Sequence, residues 1–237
     1  MAAEWRNDVD GALPSVAVAA HELKAPLGLL RQMSLLLEEG ALDPREARAL
    51  QHEMTLTTER ALRLVSDLAA TANMTEELFP LEPVNPLALL NQMALDMRPM
   101  LQLYDRRVRW PRAGRTRPLV IANPTLLGRI LANFLDNALK YSEADAAIQV
   151  TVQTKGERVR LAVRDFGPMM SQAEYRRLVA ELETRKSVRT RPESSGLGVY
   201  VASRFARAMH GHIGLIRHRD GLTFYVEMPL SRQMSLL

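Results

Sequence analysis

His21 and Glu22 stand side by side early in the chain, while Asn133, Asn137 and Lys140 stand at i, i+4 and i+7 in a later helix-forming stretch. Each pattern suggests a chemistry. Glu22 can accept a hydrogen bond from one imidazole nitrogen, which fixes the tautomer and leaves the other nitrogen as a nucleophile. The plain alternative is a surface histidine beside a surface glutamate. The asparagines share one helix face, and their side-chain carbonyls are hard oxygen ligands suited to Mg²⁺, which takes few protein ligands together with phosphate oxygens and water. Two ordinary surface asparagines are the bland reading, but asparagine is a poor helix former where Glu, Lys or Arg would serve. Asp165 closes a β-like run and is followed by Phe166-Gly167, a strand-to-loop junction of the sort where ligands dock. Ser195-Gly196-Leu197-Gly198 opens a helical stretch, Val199 to Met209, and would turn backbone N–H groups and the positive end of a helix dipole toward phosphate.

The elements carrying these residues divide into two kinds. In the first 75 residues, Val16, Ala20, Leu23, Leu27, Leu30, Ser34 and Leu37 alternate spacings of four and three, and Ala47, Leu50, Met54, Thr57, Ala61, Leu64 and Leu68 do the same. That is the seam of a pair of coiled-coil helices. Gly40 ends the first, and Asp43-Pro44-Arg45-Glu46 reads as an N-cap, a proline at N1 and a capping box for the second. Two such helices cannot close a core alone, so two copies are expected to pair as a four-helix bundle, making the protein a homodimer. His21 follows seam position Ala20 and falls at the edge of the stripe. Pro26 leaves the Glu22 carbonyl without its helical donor and should bend the helix one turn beyond the histidine.

Pro80, Pro83 and Pro86 then mark a linker, residues 76–84, leading into a first strand. Asn85-Pro86 and Asn123-Pro124 look like N-caps for helices over about 86–104 and 124–141. Between and after them lie β-like runs at 107–110, 119–122, 148–152 and 158–163, then 213–218 and 223–228 around Asp220-Gly221. This order predicts an α+β sandwich, with helices on one face of a mixed sheet, over 85–237.

Taken together, His21-Glu22-Leu23-Lys24-Ala25-Pro26-Leu27, Asn133-Phe134-Leu135-Asp136-Asn137-Ala138-Leu139-Lys140-Tyr141-Ser142, Asp165-Phe166-Gly167 and Ser195-Gly196-Leu197-Gly198, in this order, resemble the core of sensor histidine kinases of two-component systems. The resemblance covers nearly the whole chain. It implies a dimerisation and phosphotransfer hairpin (1–75), the linker, and an ATP-binding domain of the GHKL type (85–237). It implies ATP and Mg²⁺ as cofactors, His21 as the phosphorylated residue, Asn137 as principal Mg²⁺ ligand with Asn133 beside it, Lys140 as a phosphate contact, Tyr141 as a wall of the adenine pocket and Asp165 as the acceptor for the adenine amine. Gly167, Ser195, Gly196, Leu197 and Gly198 would complete the nucleotide site. A response-regulator receiver domain is the implied partner.

The chain also departs from that family. Ala25 occupies a position commonly Thr or Asn, whose polar side chain orients water for dephosphorylating the partner, so weak phosphatase activity is expected. Met169 replaces the second glycine after Asp165, and Ser194 replaces the first glycine of the later turn. Residues 171–193, with Arg185, Lys186, Arg189 and Arg191, are expected to form a flexible lid over the triphosphate. These departures support one rival: a degenerate scaffold that regulates a partner through its dimeric bundle.

Composition bounds the remaining choices. The 237 residues are 47% hydrophobic, enough for two modest cores. The absence of cysteine excludes disulfide scaffolds, thiolate metal sites and thiol catalysis, and fits a reducing cytosol. No apolar run reaches the roughly 20 residues that span a bilayer, so a soluble chain, or the cytoplasmic portion of a larger sensor, is expected. The net charge of +4 is spread along the chain and is not interleaved with aromatics, so nucleic-acid binding is not expected.

Overall fold

The computed structural model describes residues 16–72, 78–103, 105–112, 118–143, 145–183 and 197–232. Two helices lead, α1 (Val16–Glu38) and α2 (Pro44–Ala72), and they pack on each other as the seam predicts. The turn between them is built as expected. Asp43 Oδ1 accepts from the amides of Arg45 and Glu46, and Glu46 Oε2 accepts from the Asp43 amide, the reciprocal pair of a capping box. Pro26 lies inside α1, whose helical assignment runs past it.

The rest is an α+β sandwich. In order come β1 (Glu82–Val84), α3 (Pro86–Leu103), β2 (Val108–Arg109), β3 (Val120–Ala122), α4 (Pro124–Tyr141), β4 (Ile148–Lys155), β5 (Arg158–Arg164), α5 (Gln172–Glu183), α6 (Leu197–Ala208), β6 (His212–His218) and β7 (Gly221–Pro229). A five-stranded mixed sheet runs β2-β4-β5-β7-β6, parallel only between β2 and β4, and a two-stranded ribbon joins β1 to β3 antiparallel. Asn85 Oδ1 caps α3 through the amides of Leu87 and Ala88, and Asn123 Oδ1 caps α4 through Leu126, as their Asn-Pro pairs predict.

Two expectations require correction. The last residues of the expected linker, 82–84, are strand β1, with Pro83 opposite Ile121; a two-stranded ribbon tolerates the missing proline donor. Residues 172–183 of the expected lid form helix α5. Ser171 Oγ accepts from the Glu174 amide while Glu174 Oε2 accepts from the Ser171 amide, and Leu178 and Leu182 are buried in the core. A capped helix with a buried apolar face holds its place. The remainder of that segment, with Arg185, Lys186, Arg189 and Arg191, lies outside the described residues, as does Ser194 beyond it.

The core lies between the five-stranded sheet and helices α4 and α6. Leu126, Leu127, Ile130, Leu131, Phe134 and Leu135 of α4 meet Val199, Phe205 and Ala206 of α6 and Leu161, Val163, Phe224 and Val226 of the sheet. Phe134 stacks on Phe224 with ring centroids 5.5 Å apart. Leu64, Leu68 and Ala70 of α2 pack on the same cluster, so the hairpin rests against the sandwich.

Candidate nucleotide and phosphoacceptor sites

Burying one face of α4 leaves its other face for Asn133, Asn137, Lys140 and Tyr141, all outside the buried set. Two segments approach that face. At the C-terminal end, the Glu143 amide donates to the Phe166 carbonyl at 2.7 Å and the Phe166 amide to Ser142 Oγ at 3.2 Å, stitching the end of β5 to the end of α4. Gly167 passes so close that a Cβ there would fall on the Tyr141 carbonyl oxygen, which is why a side chain is not tolerated. At the other end α6 begins. A Cβ on Gly198 would lie 3.2 Å from Asn133 Oδ1, so the N-terminal turn of α6 sits directly against this asparagine.

Asp165 is held from a third side. It is 3% exposed, and the Leu222 amide donates to its Oδ1 at 2.7 Å. Its own amide donates to the Leu222 carbonyl at 2.9 Å. Gly221 has φ 135° and leaves room for the Asp165 backbone and for Oδ1, which would lie 2.7 Å from any Cβ. Arg164 extends this brace: its guanidinium pairs with Asp220 at 2.9 Å and lies 4.4 Å over the Phe166 ring. His218 Nε2 shares a 2.8 Å hydrogen bond with Thr223 Oγ1, and burial followed by the Arg164 charge holds its pKa below the usual histidine range.

Tyr141 and Asn133 of α4 thus meet Gly167 and Gly198, with Asp165 two residues before the first glycine, Leu197 one before the second, and Asn137 a turn from Asn133. Lys140 is exposed, its ammonium 5.1 Å from the Tyr141 ring centroid. The buried Asn133 Nδ2 has no hydrogen-bond partner among the described residues. A buried amide so placed beside a helix N-terminus is suited to meeting a polar ligand. Amide oxygens with an anionic ligand's own oxygens form a hard donor set, which fits Mg²⁺ accompanying a phosphate chain. Ser195 and Gly196 lie outside the described residues. Met169, standing in place of a glycine, is 56% exposed and packs into no core.

His21 lies within α1, and its side chain is outside the described residues; Glu22 next to it is half-buried. Counting along the hairpin, His21 and Ala61 stand equally far from the connecting turn and so lie at one level.

Sequence reasoning missed Gly221, Leu222 and Asp136. Gly221 was legible only as a turn residue. Asp136 precedes Asn137, and burial raises its pKa above the ordinary carboxylate range, an effect partly offset by Arg63 and Arg60 of α2. Arg106 donates to the carbonyls of Leu139 and Ser142 and completes the C-terminal end of α4.

Comparison with known proteins places these features. Residues 122–232 match the family described as histidine kinase-, DNA gyrase B-, and HSP90-like ATPase. Sensor protein SphS of Synechococcus elongatus is 26% identical over 226 residues, covering 90% of this chain and 54% of SphS. The structure of full-length ShkA in complex with AMPPNP superposes with a TM-score of 0.61 at 25% identity, covering 94% of this chain and 48% of that one. Histidine kinase ThkA in complex with the response regulator TrrA has the same fold, with a TM-score of 0.62 at 17% identity over 91% of this chain and 61% of that one. The chain spans about half the length of the curated relatives it matches.

Proposed function

The chain belongs, through residues 122–232, to the histidine kinase-, DNA gyrase B-, and HSP90-like ATPase family, and on that footing we propose that it is an ATP-dependent protein histidine kinase. It autophosphorylates on His21 and passes the phosphoryl group to an aspartate of a response-regulator receiver domain. The observation that carries this reading is the convergence of Asn133, Tyr141, Asp165, Gly167 and Gly198 around one face of α4, while the histidine sits on a separate hairpin.

The parts divide the work. The hairpin within residues 1–75 serves dimerisation and phosphotransfer, and the sandwich from β1 onward, beyond the linker, binds ATP. Asp165, fixed by Leu222, accepts from the adenine amine with its remaining acceptor capacity, and Tyr141 walls the base. Lys140 and the opening turn of α6 face the phosphates, with Ser195, Gly196, Leu197 and Gly198 lining it. Asn137, with Asn133 beside it, would hold Mg²⁺, which supplies charge neutralisation along the triphosphate. Glu22 takes a hydrogen bond from one imidazole nitrogen of His21 and assists proton removal. The other nitrogen attacks the γ-phosphorus; an N–P bond forms as the P–O bond to ADP breaks, and ADP leaves.

The protein works as a homodimer on the cytoplasmic side of the membrane, either by itself or as part of a longer sensor. No described helix is long and apolar enough to cross a membrane. With Ala25 unable to orient water, dephosphorylation of the partner is weak. Incubation with Mg²⁺ and γ-labelled ATP tests the assignment. Label that is acid-labile, alkali-stable and absent from His21→Gln is expected. A folded dimer that takes no label would instead be the scaffold.

A further inference from the structure

Five charged residues on α2 and α4 belong to neither the nucleotide face nor the phosphoacceptor motif. On α2 they are Arg60, Arg63 and Asp67; on α4, Arg129 and Asp136. Asp67 is 5% exposed and its Oδ1 lies 3.1 Å from Arg129 Nη1, which also donates to the Ser66 carbonyl at 3.4 Å. Arg60 and Arg63 stand close enough to Asp136 to act on its charge. Arg60 and Asp67 are one heptad apart on α2, and so are Arg129 and Asp136 on α4. Along each helix the arginine precedes the aspartate, and the two helices run antiparallel, so Asp67 meets Arg129 at one end of the contact while Arg60 and Asp136 line one cavity at the other. A slip of one turn would bring Arg129 opposite Arg63, and a slip of two turns the other way would bring Asp67 opposite Asp136. Like charges brought together at a contact disfavour it.

The contact is not uniform. At the Asp67 end Leu64, Leu68 and Ala70 pack on the core, whereas at the Arg60 end the helices part around a cavity of about 470 Å³. Glu53 and Arg60 line it from α2, with Met100, Arg106, Asp136 and Lys140 opposite. Among the described residues, Arg60 hydrogen-bonds across the gap to the Met100 sulfur, at 3.8 Å. The helix carrying Asn137 and Lys140 is therefore tied to the hairpin at one end and separated from it at the other, at the level of His21.

We propose that α2 and α4 form a charge-registered docking surface on which the Asp67–Arg129 pair is the fixed end and the Arg60–Asp136 end can open and close. The pair selects which edge of the nucleotide helix meets the hairpin, and the gap gives that helix room to swing relative to α2. This rests on the reading above that α4 holds nucleotide and α1 the acceptor histidine, but the surface itself can be tested without either activity.

The chain has no cysteine, so a dye pair at Glu59→Cys and Gln153→Cys, both exposed positions, reports the distance between hairpin and sheet by energy transfer. Asp67→Arg and Arg129→Asp are each expected to reduce docking about tenfold, and the double swap to restore most of it. Asp67→Lys and Arg129→Glu serve as alternative reversals should the first pair fail to fold. Single reversals that leave transfer unchanged, or a swap no better than either single, overturn the proposal. A fluorescent ATP analogue added to the same samples separates the two questions. Equal binding by all variants is expected, and its absence from every one, including the parent, would defeat the kinase reading while the energy-transfer result still decides the docking surface.

Discussion

Asp165 and Leu222 are tied to each other twice: the Leu222 amide donates to Asp165 Oδ1 at 2.7 Å, and the Asp165 amide donates to the Leu222 carbonyl at 2.9 Å. The carboxylate proposed to read adenine is thus aimed by the backbone of the β6–β7 turn, and Gly221 is the residue that lets that backbone approach. Gly221→Ala adds a Cβ against the Asp165 backbone at a φ of 135°. It is expected to cost about 1–3 kcal/mol in stability and to weaken binding of a fluorescent ATP analogue. Leu222→Val keeps the amide and should keep the affinity. Thermal melts and titrations of both variants check this, and an unaltered affinity in Gly221→Ala would remove the brace from the site.

The hairpin carries large apolar side chains that the single chain does not cover. Leu27 is 58% exposed and Leu62 is 62% exposed, with Leu29, Leu35, Leu36 and Val65 also open. Burying a leucine is worth about 1.5–3 kcal/mol, and pairing two hairpins would cover this surface. Light scattering should find a dimer. Leu62→Glu should raise the dimer dissociation constant at least about tenfold, because one such loss on each subunit exceeds 1.4 kcal/mol. A monomer at high concentration, or a dimer indifferent to the change, would leave the four-helix bundle without support.

Much of this architecture was legible because it is local. Asp43 with Glu46, Asn85 with Pro86 and Asn123 with Pro124 announce helix starts within four residues, and each cap has the hydrogen bonds it predicts. The alternation in 148–152 and 158–163 likewise marks paired strands whatever surrounds them. Helix α5 had a local signal too, Ser171 and Glu174, but the expectation of a lid over that segment took precedence over it. What was not legible depends on residues far apart in sequence. Nothing near Asp165 indicates that Leu222 holds it. Nothing near Arg129 or Asp67 indicates their pairing either, which exists only where the sandwich packs on α2 and the carboxylate is buried.

Asn133 and Asn137 should separate binding from catalysis. Asn137→Ala removes the proposed Mg²⁺ ligand and is expected to lower autophosphorylation by about 100-fold or more, comparable to removing one preorganised stabilising group at a transition state. Asn133→Ala also removes the buried Nδ2 that lacks a partner among the described residues. It should therefore weaken nucleotide binding without destabilising the fold, since no hydrogen bond from that nitrogen to a described residue is lost. Labelled-ATP assays beside thermal melts distinguish the two effects, and a destabilised Asn133→Ala would assign that nitrogen to the fold.

Acid should tighten the contact between hairpin and sandwich. Burial raises the pKa of Asp67, opposed by Arg129 and Arg63 and reinforced by Asp136; burial raises that of Asp136, opposed by Arg63 and Arg60. Glu53, Arg106 and Lys140 face the same cavity as Asp136. When the two parts separate, both carboxyls return to water and to a pKa near the ordinary value of 3.8. The docked state therefore binds protons more tightly than the separated one. Their contribution to docking is fully present below the ordinary value and is lost as pH rises through the raised pKa of each. Energy transfer between the Glu59→Cys and Gln153→Cys dyes should accordingly increase from neutral pH toward about pH 4. Asp136→Asn should flatten part of that dependence, because the amide is neutral at every pH. A docked fraction that falls with acid while circular dichroism reports an intact fold would mean that attraction to the arginines outweighs burial at this contact.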